Sequence, residues 1–294
     1  MTSPTRARRG FTLAELLVSM LIVAIIGAAF TRLVIAQSRF FTREYGARNA
    51  RAVARESMNL LLTDLRMVQD SGGVDSVSAD GRTVRVIVPY AFGLACGNTS
   101  SATIVSLLPS DTSVMAIAKY AGYAWRNSAG RYTIVTPPSP QGANNITVYG
   151  TPAMCTGTGA GQAGISTLTV NGRSGQVLQL TPAAAGIAVR TPVFLWQKIT
   201  YSFDSSAAFP GLYGLYRTPA GGSRQELLAP FDSTARFKFY VPNQDTSQTT
   251  VPALSNIRGL DILLYGVSPK LQSNGLRSMT KMTTAVFFKN TRSF

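Results

Sequence analysis

Two hydrophobic patterns are joined head to tail at the start of the chain. Phe11 to Phe30 is almost wholly apolar, broken by a single acid, Glu15. A helix built from it is apolar on every side, so it needs lipid or other apolar helices around it. Beyond Arg32 the residues remain good helix formers, without proline and with Gly46 as the one glycine, as far as Asp70-Ser71-Gly72-Gly73, which reads as a stop. The predicted helix has about 55–60 residues and a length of about 85 Å. Its second half carries one stripe: Ala47, Ala50, Ala54, Met58, Leu61, Leu65 and Val68 recur at helical spacing. Arg48, Arg51, Arg55 and Arg66 lie beside that stripe. The stripe is expected to pack on a sheet and the arginines to stay wet, or to form a seam to acidic neighbours.

After Gly73 the period falls to two. Val74–Ala79 and Thr83–Val88 read as a hairpin around Asp80-Gly81. Thr103–Leu108 is a short strand. Ala116–Arg126 and Arg131–Thr136 flank a second hairpin that carries Tyr120, Tyr123, Trp125 and Tyr132. These aromatics are read as cross-strand packing, with a sugar-binding platform as the alternative. Pro137–Gly164 reads as long loops. Gly159-Ala160-Gly161-Gln162-Ala163-Gly164 fits G-x-G-x-x-G but has no leading strand or following helix, so it is loop. Ser166–Val170 and Gln176–Thr181 read as a hairpin around Asn171-Gly172. Val193–Phe203 is the clearest strand, with Ile199, Tyr201 and Phe203 alternating against Lys198, Thr200 and Ser202. Gly211–Arg217 with Gln225–Ala229, Ala235–Val241, Ile257–Tyr265 and Thr283–Lys289 complete the strands. The fold class is α+β, a long N-terminal helix on an antiparallel β-rich head.

Composition narrows the function. The 294 residues include 28 Lys and Arg against 13 Asp and Glu, a formal charge of +15. A surplus of this size favours DNA or acidic surfaces as partners. Histidine is absent, which removes the commonest general base and metal ligand. No Cys/His cluster, G-x-S-x-G elbow or S-x-x-K motif occurs, so no metal, cofactor or enzymatic activity is expected. Asp70, Asp75 and Asp80 are five apart, which is not calcium-loop spacing, and they read as helix end and turns. The remaining carboxylates of the head, Asp111, Asp204, Asp232, Asp245, Asp261 and Glu226, cannot be paired from sequence. Two cysteines, Cys96 and Cys155, suggest one disulfide or two buried thiols. A disulfide would close a loop of roughly 60 residues, worth around 4 kcal/mol in the chain-entropy model.

Arg6, Arg8 and Arg9 precede Gly10 and the apolar run. That order places the N-terminus on the cytoplasmic side of a membrane. An ordinary secretory signal cut after Ala29, a plain membrane anchor, and a buried soluble helix are the competing readings. The words Gly10-Phe11-Thr12-Leu13-Ala14-Glu15-Leu16-Leu17-Val18 resemble the class III signal of type IV pilins and pseudopilins. The resemblance implies a dedicated peptidase and N-methyltransferase that cuts between Gly10 and Phe11 and methylates Phe11. It also implies that Glu15 meets the positive N-terminus of a neighbouring subunit. A carboxylate at membrane depth needs such a partner, and no Lys or Arg lies within one turn of it.

A second stretch, Ile199–Asp204, Gly214–Arg217, Ala235–Phe239 and Ile257–Ile262, is similar to W-type minor pilins and J-type pseudopilins. The implied organisation is a leader over 1–10, a membrane or filament-core half over 11–36, an amphipathic half over 37–72 and a head over 73–294, with an insertion at roughly 90–192. The implied role is a low-copy subunit of a type IV pilus or type II secretion pseudopilus, held in the bacterial inner membrane before assembly. Its partners would be other pilins, the inner-membrane assembly platform and membrane lipids. The alternatives are a membrane-anchored module that binds DNA or glycan outside any filament, and a secreted hydrolase freed after Ala29.

Overall fold

The computed structural model describes residues 12–68, 73–116, 118–128, 132–137, 146–149, 169–272 and 275–288. Helix α1 runs unbroken over Leu13–Leu65, 53 residues, with Thr12 as its N-cap and Arg66 as its C-cap. At 1.5 Å per residue it is about 80 Å long. It ends a few residues before the Asp70-Ser71-Gly72-Gly73 stop, of which 70–72 lie outside the described residues.

The head is one sheet of 13 antiparallel strands among the described residues. In chain order its strands are β1 (Val74–Val77), β2 (Thr83–Asn98), β3 (Thr103–Leu107), β4 (Gly122–Arg126), β5 (Tyr132–Val135) and β6 (Ile146–Tyr149). A separate two-residue pair, β7 (Thr169–Val170) and β8 (Arg173–Ser174), follows. The sheet resumes with β9 (Val177–Leu180), β10 (Pro192–Ser205), β11 (Tyr213–Pro219), β12 (Gln225–Phe231), β13 (Arg236–Tyr240), β14 (Gly259–Leu271) and β15 (Arg277–Phe287). The path across it is β13-β14-β12-β11-β10-β2-β3-β9-β6, with β15 on the far side of β14 and β4 paired with Val193 to Trp196 at the start of β10.

The second half of α1 packs on β12, β14 and β15. Ala54, Met58, Leu61 and Leu65 enter one core with Val84, Val86, Ile199, Tyr201, Phe231, Phe237 and Leu260. Arg48, Arg51, Arg55 and Arg66 are exposed, as the stripe predicts. Close approach depends on glycine. A Cβ on Gly266 of β14 would stand 2.2 Å from the Ala50 carbonyl oxygen, and one on Gly46 would stand 3.1 Å from Ser268 Cβ. The helix end is tied by Asp64, which accepts from the Tyr201 hydroxyl and, at 3.4 Å, from Arg217 Nε.

Three expectations are corrected here. β2 does not stop at Val88 but continues through Pro89 to Asn98. Its register against β10 shifts at Pro89–Ala91, and a register shift is where a sheet tolerates the missing N–H of proline. Ile146–Tyr149, inside the stretch read as loop, is a strand paired with β9. The Asn171-Gly172 turn joins only two-residue arms, and Val177–Leu180 pairs with β3 and β6 instead. The described strands between 90 and 192 are part of the main sheet, apart from the β7–β8 pair, and surround a second core of Ala91, Val105, Leu107, Tyr123, Trp125, Leu178 and Leu195. The cause of these misses is shared: short apolar segments do not state which distant strand they will pair with.

Candidate functional site

The site is the exposed start of α1. Thr12 and Glu15 form a reciprocal cap. Glu15 Oε2 accepts from the Thr12 backbone N–H and from its hydroxyl, both at 3.0 Å, and Thr12 Oγ1 accepts from the Glu15 N–H at 3.3 Å. This is the capping-box pattern, in which a Thr and a Glu three residues on satisfy each other's orphan donors. The words Thr-x-x-Glu carry it, and the sequence reading missed it. The carboxylate therefore finds local donors without a cation. Glu15 Oε1 accepts no hydrogen bond among the described residues, which leaves one oxygen open to an incoming donor.

Every residue from Thr12 to Arg43 is exposed. Leu13 is 79% and Phe30 65% accessible. Ser19 and Thr31 fold their hydroxyls back onto the carbonyls of Glu15 and Gly27, at 2.6 and 2.8 Å. Their polar groups are thus satisfied inside the helix, as a membrane-spanning segment requires. The best 18-residue stretch of α1 has a mean hydropathy of 2.5 and is wholly unburied. By length and composition α1 can cross a membrane.

Residues 5–31 match the prokaryotic N-terminal methylation motif. The chain carries a type IV pilin-like N-terminal signal. The motif, the single apolar helix and the antiparallel head together fit a membrane-anchored, pilin-like protein. No curated protein and no solved structure matches the chain.

Gly10 and Phe11 lie outside the described residues, as does Cys155. Cys96 is fully buried beside Ile104 and Val177. Tyr123 and Trp125 stack at 6.4 Å inside the second core, and Tyr132 meets Phe194 edge-on at 6.0 Å. They are packing, and no flat aromatic platform for a sugar is formed by them.

The carboxylates of the head fix loops and strands. Asp75 joins β1 to β2 and β10 through Arg85 and through Lys198 Nζ at 2.8 Å. Burial alone would raise its pKa, but the two cations outweigh it and hold the carboxyl below its ordinary value. Asp111 accepts from the Phe92 N–H at 2.6 Å, and Asp204 pairs with Arg224 at 2.8 Å. Asp261 accepts from Ser247 and Thr283, Asp232 from Thr234, and Glu226 from Ser206 and the Ala207 N–H. Asp80 caps the first hairpin, and Asp245 is exposed; Asp70 lies outside the described residues. Among the described residues no group of three or more Cys, Asp or Glu could hold a metal ion.

One groove of about 610 Å³ lies where the two cores meet, lined by Lys119, Gln197, Arg217 and the turn at Gly221-Gly222. Its parts come from distant segments, and nothing in the sequence pointed to it.

Proposed function

We propose that the protein is a minor pilin or pseudopilin. The leader is removed after Gly10, Phe11 becomes the methylated N-terminus, and the apolar half of α1 waits in the inner membrane before it packs among the helices of a type IV pilus or type II secretion pseudopilus. One observation carries this reading. Behind a methylation motif, a single unbroken helix is apolar and fully exposed over its first half and packed on a sheet over its second. Such a helix has a partner for only half its length within its own chain.

Glu15 Oε1, which accepts no hydrogen bond among the described residues, supports a role in receiving the N-terminal amine of a neighbouring subunit. The sequence resemblance over Ile199–Asp204, Gly214–Arg217, Ala235–Phe239 and Ile257–Ile262 supports a W-type or J-type subunit. A large head suits a tip or initiating position over a repeated shaft position, where compact heads pack more easily. Cys155 is the one other cysteine in the chain, and no described cysteine is free, which supports a Cys96–Cys155 disulfide. The organisation into leader, membrane half, amphipathic half and head belongs to the same reading.

The test is the intact mass and N-terminal residue of the protein from its native membrane fraction. A chain that starts at N-methylated Phe11 is expected. A chain that starts at Met1 or after Ala29 would sink the proposal. A second reading, an anchored module that binds anionic ligands, rests on the groove beside Lys119, whose other cation, Arg217, is shared with Asp64. It predicts an uncut chain whose head alone binds.

A further inference from the structure

Where α1 enters the head, two separate parts of the chain stand at the same height. Gly266 of β14 lies against Ala50, and Ser268 lies against Gly46. Two strand residues, about 6.6 Å, thus match four helix residues, about 6 Å, so β14 runs alongside α1 in the opposite direction. Gly46 also lies against Ser278 of β15, and the β14–β15 register shifts between Val267 and Leu271, so that Leu271 pairs with Arg277, one residue beyond Ser278. Leu271 therefore stands about 3 Å and Leu276 about 7 Å past Gly46, level with the helix residues from Glu44 back to Phe41. Arg39 and Arg43 precede Gly46 and Ala50 by seven residues, about two turns, so they share the helix face on which the hairpin stands.

We propose that the turns Arg39–Tyr45 and the described residues that end β14 and precede β15, Leu271, Gln272 and Leu276, form one lipid-facing foot, which docks on the anionic headgroups of the bilayer that α1 crosses. This rests on the membrane-anchored reading of α1.

Both parts expose apolar side chains beside cations. Phe40 and Phe41 meet edge to face at 6.0 Å and are 64% and 66% accessible. Leu271 and Leu276, on either side of the hairpin tip, are 57% and 66% accessible. The cations divide into two sets. Arg48 and Arg51 are held by Glu44. Arg39, Arg43 and Lys270 have no ionic partner among the described residues, and no acid occurs between Leu16 and Arg43. Lipid phosphate would supply what the chain lacks.

The placement fits a bilayer. Leu16–Ile35 spans about 30 Å, the thickness of a hydrocarbon core, and Arg39–Arg43 then falls about 6–12 Å beyond it, among headgroups. Topology signals do not explain these cations. The orientation rule places the excess on the side of Arg6, Arg8 and Arg9, and the foot is on the other side. Headgroup binding does explain them, and it would hold the head at a set height before assembly.

Amide hydrogen exchange on the full chain, one molecule per lipid nanodisc, tests this. In phosphatidylethanolamine/phosphatidylglycerol discs, amides of Leu271, Gln272 and Leu276 should exchange about tenfold more slowly than in phosphatidylcholine discs. The double variant Arg39→Gln/Arg43→Gln should erase the difference with the head's Tm unchanged, and Leu276→Ser should reduce it. Equal exchange in both lipids, with Leu16–Ile35 protected, would overturn the foot and leave the anchor standing. Fast exchange over Leu16–Ile35 would overturn both. Slowing that appears only with several chains per disc would assign the surface to neighbouring subunits instead.

Discussion

The two halves of α1 belong to one helix and have opposite needs. From Thr12 to Arg43 every side chain is exposed, and the apolar ones point in all directions. From Gly46 onward one face disappears under β12, β14 and β15 and the other stays charged. A single sheet can cover a stripe, but nothing flat can cover a cylinder. The first half must therefore be surrounded, by lipid or by other helices, and the second half must not be. The backbone passes between the two regimes without a break because helical hydrogen bonding is internal to the segment and indifferent to what lies outside.

The largest effect should come from the covered stripe. Leu61 is fully buried in the first core, and Leu61→Ala is expected to cost about 2–5 kcal/mol in chemical denaturation of the full chain. Leu21→Ala, equally apolar but exposed, should leave the stability of the head unchanged. Equal losses would erase the distinction between the halves.

Next comes the contact itself. Gly266→Ala forces a methyl against the Ala50 carbonyl, so the helix must lift or the strand must bend. A cost of about 1–3 kcal/mol is expected, with Gly27→Ala, which has open space around it, as the silent control.

A smaller effect concerns the ion pairs that join β1 to β2 and β10. The folded pKa of Asp75 lies below its ordinary value of 3.8, so its contribution is present above that value and is lost as pH falls through the depressed folded pKa. Asp75→Asn should lower stability by about 1–2 kcal/mol at neutral pH and flatten the acid limb of a Tm-against-pH curve below about pH 4. An unchanged acid limb would show that other carboxylates govern it.

The smallest effect is on the wet face. Arg48 pairs with Glu44 at 3.0 Å but is 74% accessible. Arg48→Ala should change head stability by no more than about 0.5 kcal/mol. A loss above 1 kcal/mol would mean that the charged face of the second half is itself covered.

Much of this was legible in advance, because it is local. Helix propensity, the change from an all-round apolar run to a stripe, and the Gly-Phe-Thr-Leu-x-Glu words are properties of neighbouring residues. So are the alternation of Ile199, Tyr201 and Phe203 and the turn at Asp80-Gly81. The Thr12–Glu15 cap was equally local and was overlooked because Glu15 was read as a lone charge.

Tertiary structure decided the rest. Pro89 argued against a continuing strand, and only the register shift opposite β10 made room for it. Val177–Leu180 looked like half a hairpin, and the free edges of β3 and β6 claimed it. The level at which the β14–β15 hairpin ends beside α1 depends on two close contacts, Gly46 with Ser268 and Ser278 and Gly266 with Ala50, made across about 220 residues of chain. The sequence by itself determined the long helix, most of the strands and which half of the helix must leave the head, since those follow from periodicity. Which strands pair, and which side chains therefore share a surface, depends on competition among many apolar partners of similar strength. Only the assembled fold resolves that competition.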